Sequence, residues 1–342
     1  MKKIILTLLL LAVGVSGAQA SQILGAGATF PYPFYAKLFD EYNKATRVQV
    51  NYQSIGSGGG IRQIINKTVD FGASDAPMSD SALREIPSKL VHIPTCMGAV
   101  VISYNLPGDP KVRFTGDVIA NIFMGKIIKW NDSRIQDLNP TISLPDLPIV
   151  FVHRSDGSGT TAIATDYLCK VSPVWDKRIG KGTSVNWPAG LGAKGNEGVA
   201  GLVKSTPGSI GYIELVYAMQ NGISYGSVKN SAGMYVTPTL QTITAAGVVE
   251  VPSDTRVSLT NGSPRYGYPI SGFTWLLVYQ DQDYGNRTYA DAQQLVKLLW
   301  WVLHEGQGYA DDLKYGKLPQ NVQKKAEMII KSITFGEKPL RL

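Results

Sequence analysis

The residues with the most chemistry per unit length lie between His153 and Thr161, HRSDGSGTT. A fixed cation, Arg154, and a carboxylate, Asp156, stand beside Gly157, Ser158, Gly159, Thr160 and Thr161. Gly157 and Gly159 let the backbone turn tightly and approach a ligand closely. Ser158, Thr160 and Thr161 supply hydroxyls. A helix expected from Ala162 to Val171 supplies free N–H groups and the positive end of its dipole. These are the parts of an anion site, above all for a tetrahedral oxyanion. The same residues also describe an ordinary strand-to-helix turn, with Asp156 or Ser158 as N-cap and Arg154 in solvent.

Three other stretches carry matching parts. Ile23-Leu24 reads as a short strand running into Gly25-Ala26-Gly27-Ala28-Thr29-Phe30. A helix entered at Pro31 and Pro33 follows, with Phe34, Leu38, Phe39 and Tyr42 on one face. Thr29 and Phe30 thus fall at a glycine-rich turn, where Thr29 serves either as a cap or as a ligand donor. Arg47 to Gln53 alternates as a strand does and leads into Ile55-Gly56-Ser57-Gly58-Gly59-Gly60, with a helix over 61–67. A dinucleotide fingerprint would need glycine at position 61, which is Ile, and no G-K-[ST] follows to make a Walker loop. A simpler anion-binding turn presenting Ser57 fits. A short strand around Phe71 then delivers Ser74 and Asp75 to its C-terminal end, where ligands sit in open α/β sheets. Asp75 is either an N-cap or turn residue before Pro77, or a carboxylate aimed at an anion. An ionised Asp only accepts hydrogen bonds, so it suits a protonated phosphate oxygen and repels a bare sulfate.

The elements that must position these turns are readable in outline. Val91 to Asn105 is the longest strand-like run and leads toward a second lobe; Ile149 to Val152 is a buried strand feeding Arg154. Residues 117–126 and 198–204 read as helices, 211–214 as a short strand or turn, and 181–197 as a long glycine-rich loop at the lobe surface. Residues 225–265 look like exposed hairpins or loops. Phe273 to Tyr279 is a strand returning to the first lobe, and 291–304 and 322–333 are helices, with Trp300 and Trp301 as core or lobe-packing residues.

The chain has 342 residues, 44% hydrophobic and 17% charged, the composition of an ordinary globular protein with room for two lobes. Residues 1–20 read as a secretory signal peptide: Lys2 and Lys3, an apolar run from Ile4 to Val15, and cleavage after Ala20 in Ala18-Gln19-Ala20. The expected location is therefore periplasmic. No later segment reaches the roughly 18 apolar residues of a membrane span. Setting Lys2 and Lys3 aside leaves 31 basic and 26 acidic residues, a net charge of +5 with no run of five like charges. Nothing in that balance points to nucleic acid. Three histidines lie far apart without ligand spacing, so neither a metal nor another cofactor is expected. Cys96 and Cys169 sit in apolar contexts typical of buried free thiols, and the sequence leaves their pairing open.

Together GAGATFP (25–31), IGSGGG (55–60), DFGASDAP (70–77) and R-x-D-G-S-G-T (154–160), in this order behind a signal peptide, resemble the periplasmic phosphate-binding proteins of the phosphate-specific ABC transporter. The resemblance continues through IFMGKIIKWND, KGNEGVAG, PGSIGYIE and LKYGKLP, and so covers essentially the whole mature chain. It implies an α/β, type II periplasmic-binding-protein fold: two α/β lobes around a ligand cleft, joined by crossing hinge strands. Lobe 1 would comprise 21–96 and 269–342, and lobe 2 97–268. The resemblance assigns phosphate contacts to Thr29, to Phe30 through its backbone, to Ser57, and to Asp75 as acceptor of the phosphate proton. It also assigns Arg154 as the cation and Ser158, Gly159 and Thr160 as hydroxyl and N–H donors, with Asp156 holding Arg154 in place. The implied protein is a monomer without enzymatic activity that hands inorganic phosphate to an inner-membrane ABC permease. Arsenate, protonated like phosphate, is expected to bind.

Two rivals remain instructive. A sulfate or molybdate carrier conflicts with Asp75, since those dianions bring no proton to a buried carboxylate. A secreted hydrolase using Ser158 with His153 and Asp156 conflicts with geometry. His153 lies on a strand end only five residues upstream, and no G-x-S-x-G elbow exists.

Overall fold

The computed structural model describes residues 22–342, so the expected signal peptide and its cleavage site lie outside the described residues. Strand β1 (Gln22–Gly27) pairs in parallel with both β2 (Gln49–Ser54) and β3 (Phe71–Ser74), and the helices α1 (Tyr32–Thr46) and α2 (Ser57–Ile65) lie between them in sequence. Phe34, Tyr35, Leu38, Phe39 and Tyr42 recur at helical spacing in α1 and are all buried, worth roughly 1.5–3 kcal/mol each for the larger apolar side chains. A left-handed Arg47 (φ 64°) ends that helix.

The apolar run read as one long strand is β4 (Leu90–Tyr104), buried at every one of its 15 positions. Beyond it lie β5 (Val150–Arg154), α3 (Gly159–Val171), β6 (Leu191–Ala193), α4 (Gly195–Ser205), β7 (Ser209–Glu214), α5 (Leu215–Asn221), α6 (Leu240–Ala246), β8 (Ser271–Tyr279), α7 (Tyr289–Leu303) and α8 (Gln320–Lys331). These eight strands order as β2-β1-β3-β8-β4-β7-β5-β6, with a short strand at Ser224–Tyr225 beside β4. β4 changes partner midway. It runs antiparallel to β8 from Leu90 to Ala99, then antiparallel to β7 from Val100 to Tyr104. Two half-sheets are thereby joined through one strand, and strands buried on both faces read as continuous apolar runs. This is the two-part α/β architecture of the type II periplasmic-binding-protein fold.

Several expected boundaries move. α2 begins at Ser57 and takes in Gly58, Gly59 and Gly60, which the sequence places ahead of the helix. Each glycine costs up to about 1 kcal/mol of helix propensity. Packing overrides it: a Cβ on Gly60 would sit 2.5 Å from Ala26 O and from Gly27 Cα of β1. The stretch 181–197, expected to be loop, contains β6 and the start of α4. The stretch 225–265 contains α6, whose start is held by reciprocal hydrogen bonds between Thr239 and Thr242. Trp300 and Trp301 pack partly buried against the core. Cys96 is buried, Cys169 is partly exposed, and both are free thiols. Among the described residues, no helix is long and apolar enough to cross a membrane.

Candidate anion-binding site in the cleft

The parallel strands end where the glycine-rich turns begin. β1 runs into Thr29 and Phe30, β2 into Gly56 and Ser57, β3 into Asp75, and β5 itself ends on Arg154. α1, α2, α3 and α4 start at or beside residues of this group, and each brings first-turn N–H groups and the positive end of its dipole. Pro31, Gly56 and Lys194 precede α1, α2 and α4 without capping by their side chains. Several of these first-turn N–H groups are engaged within the protein instead, Gly58 N by Gly157 O, Gly195 N by Asp156 Oδ1 and Asn196 N by Thr29 Oγ1. α3 differs, because Ser158 Oγ accepts from Thr161 N at 3.0 Å.

Contacts across the cleft show that the turns meet. Gly58 N donates to Gly157 O at 2.9 Å, and Gly159 N donates to Ser57 Oγ at 3.0 Å. Glycine is required at two of these points. Gly56 has φ 86°, and a Cβ on Gly159 would lie 2.5 Å from Asp75 Oδ2 and 2.6 Å from Ser57 Oγ.

Arg154 is buried (3% exposed) and held from three sides. Its backbone N–H donates to the Tyr212 hydroxyl at 3.1 Å. Its Nε and Nη2 donate to the two oxygens of Asp156 at 2.7 and 2.5 Å, the two-pronged pairing that suits a planar guanidinium. Nη1 lies 3.4 Å from Thr160 Oγ1. Burial works to raise the Asp156 carboxyl, but the Arg154 hydrogen bonds and charge, with a Gly195 N–H at 3.1 Å, outweigh it and hold it below the ordinary range.

Asp75 has a different environment. It is 3% exposed, accepts from Thr274 Oγ1 at 2.7 Å, and has Ser57 Oγ at 3.4 Å. Burial pushes its pKa up to about 7, against the lowering effects of the Thr274 hydroxyl, the Arg154 charge and the Ser57 hydroxyl. The Thr29-Phe30 turn is pinned by its carbonyls, Thr29 O accepting from Tyr217 at 2.6 Å and Phe30 O from Tyr315 at 2.7 Å.

Of the residues singled out from sequence, Ser57, Asp75 and Gly159 form one hydrogen-bonded group. Arg154, Asp156 and Thr160 form a second, and Thr29 joins it through a residue the sequence reading missed. That residue is Asn196, fully buried, whose Nδ2 donates to Thr29 Oγ1 at 2.7 Å and Thr160 Oγ1 at 3.0 Å. It lies within the KGNEG run, whose reading as surface loop concealed it. Thr274 was missed as well. Phe30 and Ser158 border the group, Phe30 wholly buried and the Ser158 hydroxyl engaged as a helix cap.

The hydrolase arrangement is not assembled. His153 Nδ1 meets Arg154 O at 3.0 Å and its ring stacks on Trp187 at 4.9 Å, while Asp156 is engaged by Arg154. Among the described residues, no group of three or more His, Cys, Asp or Glu is placed to hold a metal ion.

A PBP superfamily domain model matches residues 14–302, which together with the half-sheets and the cleft defines a solute-binding protein of the type II class. Over 316 residues the chain is 44% identical to the phosphate-binding protein PstS of Xylella fastidiosa, covering 90% of this chain and 85% of that protein. Over 310 residues it is 44% identical to PstS of Haemophilus influenzae, covering 89% and 91%. The chain belongs to the PstS family of phosphate-binding proteins. Among solved structures it is similar to a high affinity periplasmic phosphate-binding protein (PfluDING) bound with phosphate, at a TM-score of 0.71 and 22% identity over 90% of this chain and 93% of that one, a likeness of fold alone.

Proposed function

We propose that this protein binds inorganic phosphate in the periplasm, without enzymatic activity, and delivers it as a monomer to an ABC-type permease in the inner membrane. The observation that carries this reading is Asp75, a buried carboxylate set against the donor-rich wall of Arg154, Gly159 and Thr160. An anion carrier has no use for an acceptor in that place unless its ligand arrives with a hydrogen. Phosphate at neutral pH does, and Asp75 is the group that takes it. Thr29, Phe30, Ser57, Ser158, Gly159 and Thr160 then supply neutral donors, Arg154 supplies the cation, and Asp156 orients it. Family membership supports the same ligand. We take residues 21–96 and 269–342 as one lobe and 97–268 as the other, with the hinge where β4 changes partner between Ala99 and Val100. Closure of the lobes is the signal a permease would read.

The test is calorimetric titration of phosphate, arsenate and sulfate into wild type and Asp75→Asn. Wild type should take phosphate and arsenate and refuse sulfate. A site that accepts a ligand's hydrogen rejects an analogue lacking it by up to roughly 10⁴-fold, and Asp75→Asn should narrow that ratio by at least about 10²-fold. The same phosphate-to-sulfate ratio in both proteins would remove Asp75 from the account of selectivity.

A further inference from the structure

Asn196 lies outside the four anion-site motifs, yet its amide reaches both walls of the cleft. Its orientation is dictated from outside. The backbone N–H of Glu214 can only donate, and it lies 2.9 Å from Asn196 Oδ1. That oxygen is therefore the acceptor, and Nδ2 is turned toward Thr29 Oγ1 and Thr160 Oγ1. An amide nitrogen has hydrogens to give and nothing to accept with, whereas a threonine hydroxyl has one hydrogen and two acceptor positions.

The two hydroxyls are filled on their accepting side. Thr29 Oγ1 takes the Asn196 side chain at 2.7 Å and the Asn196 backbone N–H at 3.2 Å. Thr160 Oγ1 takes the Asn196 side chain at 3.0 Å and an Arg154 N–H at 3.4 Å. Ser57 Oγ follows the same pattern with backbone donors, accepting from Gly159 N at 3.0 Å and Asp75 N at 3.3 Å. A hydroxyl whose lone pairs are occupied can meet an anion in one way only, with its hydrogen.

We propose that Asn196 is a positioning residue of the anion site: by donating to Thr29 and Thr160 at once, it commits both hydroxyls to donate to the ligand and ties the two walls of the cleft together. This rests on the phosphate reading above. Asn196 need not touch phosphate, and it acts through the two threonines.

The experiment is a double-mutant cycle read by calorimetric titration of inorganic phosphate into the full-length purified protein. Asn196→Ala alone should lose about 10–100-fold in affinity, the value of one or two hydrogen bonds to an ion. In a Thr29→Val, Thr160→Val background the same substitution should cost less than about threefold, because the groups it acts through are gone. The near-isosteric Asn196→Asp replaces the donor with an acceptor that draws the threonine hydrogens away from the ligand. It should bind phosphate more weakly than Asn196→Ala, and it serves as the second variant should the alanine protein fold poorly. Equal losses from Asn196→Ala in both backgrounds, or an Asn196→Asp protein that binds as tightly as wild type, would overturn the proposal while leaving the ligand assignment intact. Wild type that takes up no phosphate would overturn the ligand assignment, and this inference with it.

Discussion

The two walls of the cleft each carry one carboxylate, and they shift it in opposite directions. On the β5 wall, Asp156 faces the fork of Arg154 and stays ionised, below the ordinary range, despite partial burial. On the β3 wall, Asp75 has only hydroxyl partners in contact, and burial raises it to about 7. The residue type is the same and the neighbourhood decides. Asp156 expends its charge on fixing the guanidinium. Asp75 keeps its accepting capacity for whatever enters the cleft. An anion site can thus contain two acids and still favour an anion, provided one is neutralised by a cation and the other meets a ligand hydrogen.

The strongest way to break this contrast is to remove the cation. Arg154→Ala leaves Asp156 without its partner and the proposed ligand without the buried guanidinium assigned to it. Truncating the protein's partner in a buried, hydrogen-bonded charge pair with a ligand costs about 2–5 kcal/mol, so phosphate affinity should fall by roughly 30- to 4,000-fold in calorimetry. Arg154→Lys keeps the charge but not the fork, and should fall between the alanine variant and wild type. If the alanine variant bound phosphate within threefold of wild type, the β5 wall would have no special standing.

Asp75 sharpens the comparison through pH. An unfolded Asp titrates near 3.8, and this one titrates near 7 in the fold. Between those values the folded protein keeps a proton that the unfolded chain has released, so stability falls as pH rises through the window. The deficit is complete above about pH 7 and absent below about pH 4. Asp75→Asn removes the charge, and should raise the melting temperature of ligand-free protein at pH 8 by an amount worth on the order of 2–4 kcal/mol. Near pH 4 it should change little. Thermal melts at the two values check this, and a variant that melts below wild type at pH 8 would contradict a strained buried charge.

How much of this was legible in the chain depends on distance along it. The four turns can be read because glycine, hydroxyl and charge lie within a few residues of one another, and α1 because its apolar face repeats locally. Partners far apart in sequence leave no such trace. Thr274 reaches Asp75 across 199 positions, and Asn196 reaches Thr29 across 167. Gly195 and Gly198 dilute the helical pattern of α4, so the run ahead of it reads as loop and hides Asn196. The exchange of partners within β4 is silent for a different reason. Both halves of the strand are buried throughout, and no change in apolar pattern marks Ala99 from Val100.

The smallest expected effect belongs to Asp156, and it carries the opposite sign. Its folded pKa is depressed by Arg154, so the stabilisation it supplies is present above the unfolded value and is lost as pH falls through the folded one. Asp156→Asn should therefore lower the melting temperature at neutral pH, by roughly 1–2 kcal/mol once its partial exposure is allowed for, and the penalty should shrink in acid below about pH 4. Melting temperature against pH for the two Asn variants then gives a direct comparison. The Asp75→Asn difference from wild type should grow as a gain with rising pH, whereas the Asp156→Asn difference should grow as a loss. Curves that moved in the same direction would mean that both carboxylates answer to one environment, and the assignment of one to the cation and the other to the ligand's hydrogen would fail.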